Sequence, residues 1–559
     1  MKAVRVVAWI FAWLPLSVGC GRIGERPNQG RDAESGRDAA TLESSELLPE
    51  VLELAGRDST SAPIDVASLE ARNVTLDGPV AETTAMTDSA EETPQDTSRP
   101  VPDAPWHGDD SDDGPAGSDR TVPIDAVSEA GDLTVPELLG APLIVAPTSD
   151  GFVVNVVLRS GDPSALRAHV RSVGGLVWSE LGQPAAPATD LSEWSVTGLD
   201  AGQRYEYEIF APSALDAGAG QILYGGTAVT KRASGSLFTF DLLTDSHIQP
   251  CDSIPPGTQI CADDVLASDE TTLLQVAADI RQDRPDFMIH LGDMLDFHRF
   301  GFNEPPPDSR WSRLAYLNYR RLMGDALGNV AHFPTVGNWE GENGCNSSDQ
   351  IQRSSSQRLL YVPAPTPQTY PEGGSPTEDY YAFTWGDALF VVLNVMTYTP
   401  TCHLLSENPG VSDDWTLGAT QRAWLEATLA GASSKWRFLF IHHAVGGNAG
   451  DDIDSAYGRG GGRAAYVGEQ ALVHQLMLKY GVQVFFYGHD HVFTDMVVDG
   501  IHYTLPGSAG APWKFDGSIT GYSQYWPDSG HGRVAVSPSS VQVDFVAAGG
   551  SLLSSYTIR

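Results

Sequence analysis

Between Gly21 and about Val135 the sequence has no lysine, no phenylalanine and no tyrosine, and Trp106 is the single aromatic residue of that stretch. Asp, Glu, Ser, Thr, Pro, Gly and Ala dominate it instead. A segment so poor in apolar side chains cannot bury enough area to offset chain entropy. This excludes a packed domain there and predicts a disordered acidic linker over 21–132, which carries roughly half of the formal net charge of −38. A run of Lys and Arg is equally lacking, in a chain with 34 basic residues against 72 acidic ones. With no basic surface to displace counterions, the composition argues against a nucleic-acid partner.

The N-terminal apolar stretch, Val6 to Val18, follows Lys2 and Arg5 and is too short for a comfortable transmembrane helix. It matches a secretory signal over 1–20. Its end, "LSVGC", resembles a bacterial lipobox, in which small residues precede a cysteine that is lipidated after cleavage, although Ser17 stands where leucine is usual. The resemblance implies lipidation of Cys20 and an exported, membrane-anchored bacterial lipoprotein facing the periplasm or the cell exterior. Ordinary signal cleavage with an incidental cysteine is the alternative. Cysteine is scarce, and setting Cys20 aside leaves Cys251, Cys261, Cys345 and Cys402, an even number in a chain expected to be exported. Disulfides are therefore expected. The segment "CDSIPPGTQIC" would close a short loop through Cys251 and Cys261, leaving Cys345 to pair with Cys402. A zinc site made of all four lacks the close cysteine pairs it would need.

Over about 133–235 the pattern is strand-like: "GFVVNVVLRS", "ALRAHVRSV", "EWSVTGL" and "RYEYEIF" alternate between turn signals. Such spacing predicts a small antiparallel sandwich. Leu199, Gly202, Tyr205 and Tyr207 resemble the tyrosine corner of a fibronectin type III domain, in which Tyr205 would pack and bond to its own backbone. Across 236–559 strands and helices alternate, as a layered α/β or α+β domain requires. Strands are expected at "LFTFDLL", "DFMIHL", "HFPTV", "WRFLFIHH" and "VQVFFYGHDH", with a hairpin at "DYYAFTWGDALFVVLNV" and short strands closing the chain. Helices are expected at "VLASDETTLLQVAADIRQ", "SRLAYLNYRRLMGDAL", "GATQRAWLEATLAG" and "YVGEQALVHQLMLKY".

Polar clusters recur where these strands end, which is where open sheets place their sites. "LLTDSHIQ" offers Asp245 and His247, "IHLGDMLD" offers Asp293, and "VGNWE" offers Asn338; "LFIHHAV" and "FYGHDHVF" offer His442, His489 and His491. Mixed carboxylate, imidazole and amide donors suit a pair of divalent transition metal ions, Mn, Fe or Zn, better than calcium or a structural zinc. One shared carboxylate can bridge two ions about 3.5–4 Å apart, the arrangement used for in-line displacement at phosphorus.

In this order the motifs, D-x-H, G-D, G-N, H and G-H-x-H, resemble the calcineurin-like metallophosphoesterase superfamily from Phe238 to about Arg559. The resemblance implies a metallophosphoesterase β-sandwich flanked by helices. It implies one ion held by Asp245, His247 and His491, the other by Asn338, His442 and His489, and Asp293 as the bridge. It further implies attack of a metal-bound hydroxide on a phosphate monoester or diester. Three positions depart from the family pattern. Asp296 stands where purple acid phosphatases place a tyrosine, so a ferric-tyrosinate centre is not expected and Asp296 reads as a supporting acid. Ala444 replaces the usual proline after the His442 motif. Trp339 replaces the histidine that helps bind phosphate and protonates the leaving oxygen, a proton transfer that indole does not perform at neutral pH.

His298, His443 and Glu340 are the candidates for that missing role, with His298 ranked first. Trp339, Arg459 and Arg463 are candidate substrate contacts, the two arginines lying on a Gly-rich loop whose bland reading is a flexible surface. The resulting reading is a metal-dependent phosphoric ester hydrolase. The alternative is a noncatalytic cell-surface binding protein that keeps a metal-holding shell, and Trp339 is its main support.

Overall fold

Residues 135–212, 220–261, 267–297, 308–344, 346–399, 416–443, 468–511, 514, 522 and 524–559 are described by the structure, a computed structural model. The leader, Cys20, the linker, His298, Cys345, Cys402, Arg459 and Arg463 lie outside the described residues.

Alternation builds the first layers. Strands β1 (Glu137–Leu138), β2 (Leu143–Val145), β3 (Phe152–Ser160), β4 (Arg167–Ser172), β5 (Ser179–Glu180), β6 (Leu191–Val196), β7 (Arg204–Ala211) and β8 (Gln221–Val229) make two four-stranded antiparallel sheets. Along β7 every second residue is buried, the period of a sheet covered on one face. Val154, Val156, Trp194, Tyr207 and Ile209 belong to the core. The Tyr205 hydroxyl accepts a hydrogen bond from the Asp200 amide at 2.8 Å, the local backbone bond its sequence context predicts.

From Phe238 the chain alternates as expected. It runs through β9 (Phe238–Leu243), α1 (Ala267–Asp283), β10 (Phe287–His290), α2 (Ser309–Met323), β11 (Ala331–Pro334), α3 (Ser348–Tyr361), β12 (Tyr381–Trp385) and β13 (Ala388–Val392). It continues through α4 (Gly418–Gly431), β14 (Trp436–Phe440), α5 (Gly468–Tyr480), β15 (Val484–Phe486), β16 (Phe493–Val498) and β17 (Ile501–Pro506). Strands β18 (Tyr525–Trp526), β19 (Gly530–Val536), β20 (Val541–Ala547) and β21 (Leu552–Ile558) complete it.

One sheet has the order β11-β10-β9-β19-β20-β21, the other β12-β13-β14-β15-β17-β16-β18. β9, β10 and β11 are parallel, and so are β13, β14, β15 and β17. Fully buried phenylalanines fill the space between the sheets, with the Phe240 ring 5.3 Å from Phe287 and 5.1 Å from Phe390. Each such ring contributes about 2 kcal/mol by burial, so this aromatic layer holds the two sheets face to face. On one outer face Leu273, Val276 and Ile280 of α1 and Leu317 of α2 pack with Leu243 and Met288. On the other, Leu425 and Leu429 of α4 and Val473 and Met477 of α5 pack with Leu389, Leu439 and Phe485. The helix-flanked double sheet is the fold class the sequence predicts.

Among the elements that escape the sequence reading are α3 and the hairpin β16–β17. In α3 the buried side chains are Ser354, Arg358 and Tyr361, so apolar packing is confined to its last turn, where Leu360 and Tyr361 meet the core. Arg358 instead forms a two-bonded pair with buried Glu342, at 2.8 and 3.1 Å. The N-terminal sandwich is joined to these layers through a buried cation. Arg320 of α2 donates to the Asn155 carbonyl on β3 at 2.8 Å and to the Tyr361 carbonyl at 3.1 Å. The expected Cys251–Cys261 disulfide is present.

Candidate metal centre

Five strands deliver the predicted ligands at their C-terminal ends: β9 leads to Asp245 and His247, β10 to Asp293, β11 to Asn338, β14 to His442, and β15 to His489 and His491. Asp245, His247, Asp293, His489 and His491 all have left-handed backbone, with φ of 54°, 54°, 53°, 81° and 59°. That conformation costs an L-residue roughly 1–2 kcal/mol, and its concentration at one pole marks a site where ligand direction outranks backbone comfort. Glycines make the convergence possible. A Cβ on Gly337 would lie 2.3 Å from Asp293 Oδ1, and one on Gly488 would lie 2.2 Å from Thr244 Oγ1 and 3.1 Å from Asp245 Oδ2.

The donor atoms form two groups. Asp245, His247 and His491 lie within 4.8 Å of one another, and so do Asp293, His442 and His489. His247 Nε2 is 3.1 Å from His491 Nε2, which in turn is 3.3 Å from Asp245 Oδ1. Asn338 Oδ1 stands 2.9 Å from His442 Nε2 and 3.0 Å from His489 Nδ1. Asp293 reaches both groups, its Oδ2 being 3.1 Å from His442 Nε2 and 3.8 Å from His247 Nε2. Ligands bonded at about 2.1 Å and at right angles stand about 3 Å apart, so these separations fit donors gathered around cations. The donor chemistry agrees, since imidazole, carboxylate and amide oxygen together match divalent transition metals.

Supporting bonds fix which atoms face inward. The Leu291 carbonyl accepts from His442 Nδ1 at 2.8 Å, and Asp296 Oδ2 lies 3.3 Å from His247 Nδ1, which turns each Nε2 toward the centre. Asp296 is thus the partner of a candidate ligand. Glu340 is a brace between loops: its carboxylate accepts from the amides of Gly337 and Met294 at 2.6 Å each and of Asp293 at 3.2 Å. Burial and the neighbouring Asp293 push its carboxyl up to about 8.

The electrostatics call for positive charge at this pole. Burial opposes ionisation of Asp245, yet His491, His247 and His442 hold its carboxyl well below the usual range. Burial likewise disfavours a charged His247, but the carboxylates of Asp245, Asp296 and Asp293 raise it well above an ordinary imidazole.

Trp339 is 6 % exposed, and its ring stands edge-on to His247 at 5.9 Å. Its amide donates to Asp293 Oδ1 at 2.8 Å, so the backbone of this residue orients the carboxylate shared by both groups. His443 is buried with its ring 4.3 Å from that of His489. Sequence reasoning missed Lys514, whose ammonium donates to Ser508 Oγ at 2.6 Å and to the Ala511 carbonyl at 2.8 Å. Burial lowers it to about 8, against the pull of Asp245 and Asp269. A lone lysine in a loop carries no sequence signal of this placement.

No curated protein matches the chain. Residues 238–493 match the family model of the calcineurin-like phosphoesterases. Among solved structures, PhoD is similar at 15 % identity and a TM-score of 0.53, over 76 % of this chain and 90 % of that one. The purple acid phosphatase PPD1 of yellow lupin (Lupinus luteus) is 15 % identical with a TM-score of 0.49, over 75 % of this chain and 74 % of that one. At this identity the likeness to PhoD speaks for the fold alone. Residues 238–493 thus resemble the calcineurin-like phosphoesterases by their family model, and the chain has a metallophosphoesterase fold.

Proposed function

We propose that the protein is a metal-dependent hydrolase of phosphoric esters, monoester or diester, working with two divalent transition metal ions. The observation that carries this reading is the convergence of seven donor side chains in two groups that share Asp293. Asp245, His247 and His491 would hold one ion, Asn338, His442 and His489 the other. When bound, the pair supplies Lewis acidity, acidifying water and offsetting the charge that develops on the phosphoryl oxygens. The chain's own contribution is placement. Asp296 and the Leu291 carbonyl set the direction of two imidazoles, the Trp339 amide and Glu340 fix the Asp293 loop, and Thr244 donates to Asp245 Oδ2 at 2.6 Å.

Hydrolysis of bis(p-nitrophenyl) phosphate by the manganese-loaded protein tests this, because its activated leaving group needs no protonation. Turnover that disappears in Asp293→Asn is the expected result. A fully loaded protein with no turnover would favour the second reading, a noncatalytic binding protein, for which a tryptophan packed on His247 in place of a proton donor is the specific support. We extend the proposal to export and a lipid anchor at Cys20, supported by the apolar leader and its "LSVGC" end. A fibronectin type III-like character for residues 133–235 is likewise proposed, from the paired antiparallel sheets and the Tyr205 bond.

A further inference from the structure

A second group of metal-type donors lies on the helix-covered side of the first sheet, away from the centre described above. Asp241 of β9, Asp283 at the end of α1 and His531 of β19 bring one donor atom each to within 4.8 Å of one another. Asp241 precedes Asp245 by four residues, roughly 13 Å of extended chain, so the two places do not share ligands.

Asp241 and His531 are both 0 % exposed. Among the described residues neither carboxylate oxygen of Asp241 has a hydrogen-bond partner, and neither does Nδ1 of His531. Buried polar atoms are almost always satisfied, and one that is not calls for an ion or a water. The neighbours do not meet the need. Arg533 lies beside Asp241 in strand register, but its guanidinium is turned to Asp283, with Nε donating to Oδ2 at 2.8 Å and Nη2 donating to Oδ1. His531 Nε2 is also 2.9 Å from Asp283 Oδ2. Arg533 thus orients Asp283 as an outer partner orients a ligand, while Asp241 is left with no answering group.

We propose that Asp241, Asp283 and His531 form a separate structural site for one divalent transition metal ion, manganese or zinc, completed by water. Two carboxylates and an imidazole are a donor set these ions accept. Asp283 is the partly exposed member, which gives the ion a way in. An ion there would tie the end of α1 to β9 and β19, the two strands that join the parallel half of the sheet to its antiparallel C-terminal half.

The rival occupant is a proton on Asp241, because burial, and then the neighbouring Asp283, hold that carboxyl well above the usual range. Metal content separates the two. The full chain is stripped with a chelator, reloaded with manganese or zinc, dialysed and measured by mass spectrometry. Asp241→Asn is expected to bind one ion fewer per chain than the wild type, with unchanged hydrolysis of bis(p-nitrophenyl) phosphate. Equal ion counts would overturn the proposal, since a protonated aspartic acid and an asparagine hold no metal. Anomalous diffraction from wild-type crystals grown with manganese needs no variant. A peak within bonding distance of Asp241 and His531 supports the site, and a map with no such peak overturns it even if Asp241→Asn does not fold.

Discussion

Trp339 concentrates the catalytic question in one side chain. Its amide serves the Asp293 carboxylate, a task any residue but proline performs, while its indole occupies the place of a proton donor beside His247. On the proposed reading, metal-driven steps would be retained and leaving-group protonation would not, and such protonation typically contributes about a hundred- to ten-thousand-fold. Trp339→His is expected to raise turnover of alkyl phosphates by about a hundredfold and to leave p-nitrophenyl esters nearly unchanged. Equal gains on both substrate types would show that the indole obstructs binding instead. At this scale the candidate ligands that the structure brings together were legible in the sequence because each follows a strand and the five motifs come in a recognisable order. Lys514, the Leu291 carbonyl and the bracing role of Glu340 were not legible, because backbone acceptors and loop packing leave no residue-type signature.

Among elements, α3 separates what periodicity reveals from what it hides. The strands around the phenylalanine layer and the helices with apolar faces were readable from spacing. α3 hides behind serines, since two of its three buried residues, Ser354 and Arg358, are polar, and Arg358 is paired with Glu342. Its one visible signal is a capping box, in which Ser347 and Gln350 exchange side-chain to backbone bonds. Ser347→Ala is expected to cost about 1 kcal/mol of stability, read as a lower midpoint in urea with an unchanged slope. No shift would mean that the Arg358–Glu342 pair alone sets where the helix begins. The β16–β17 hairpin was missed for another reason. Its signal is in fact present and was overlooked: Asp499 and Gly500, at φ of 53° and 85°, form the two-residue turn between the paired Val498 and Ile501.

For the whole molecule, the sandwich and the double-sheet layers meet at Arg320, and that cation acts at a distance on His332 of β11. Burial, and then the Arg320 charge, lower the His332 imidazole to about 3. An unfolded histidine titrates near 6.5, so between these values the unfolded chain binds the extra proton. Stability from this residue is complete above pH 6.5 and is lost as pH falls toward 3, by up to about 1.4 kcal/mol per pH unit. Urea denaturation at pH 7 and pH 5 should show the loss, and His332→Phe should reduce it, leaving the share of His290, which burial also holds well below an ordinary imidazole; an unaltered pH dependence in the variant would remove His332 as a cause. The strand order has a consequence in time as well as in space. His247 and His491 meet although they lie 244 residues apart, and β9, which leads to Asp245, gains its neighbour β19 only from Gly530–Val536. A ribosome must therefore pass residue 491 before His247 can meet its partner His491. On the proposed reading, metal uptake waits for His491, and translation halted anywhere before His489 leaves only part of the candidate ligand set.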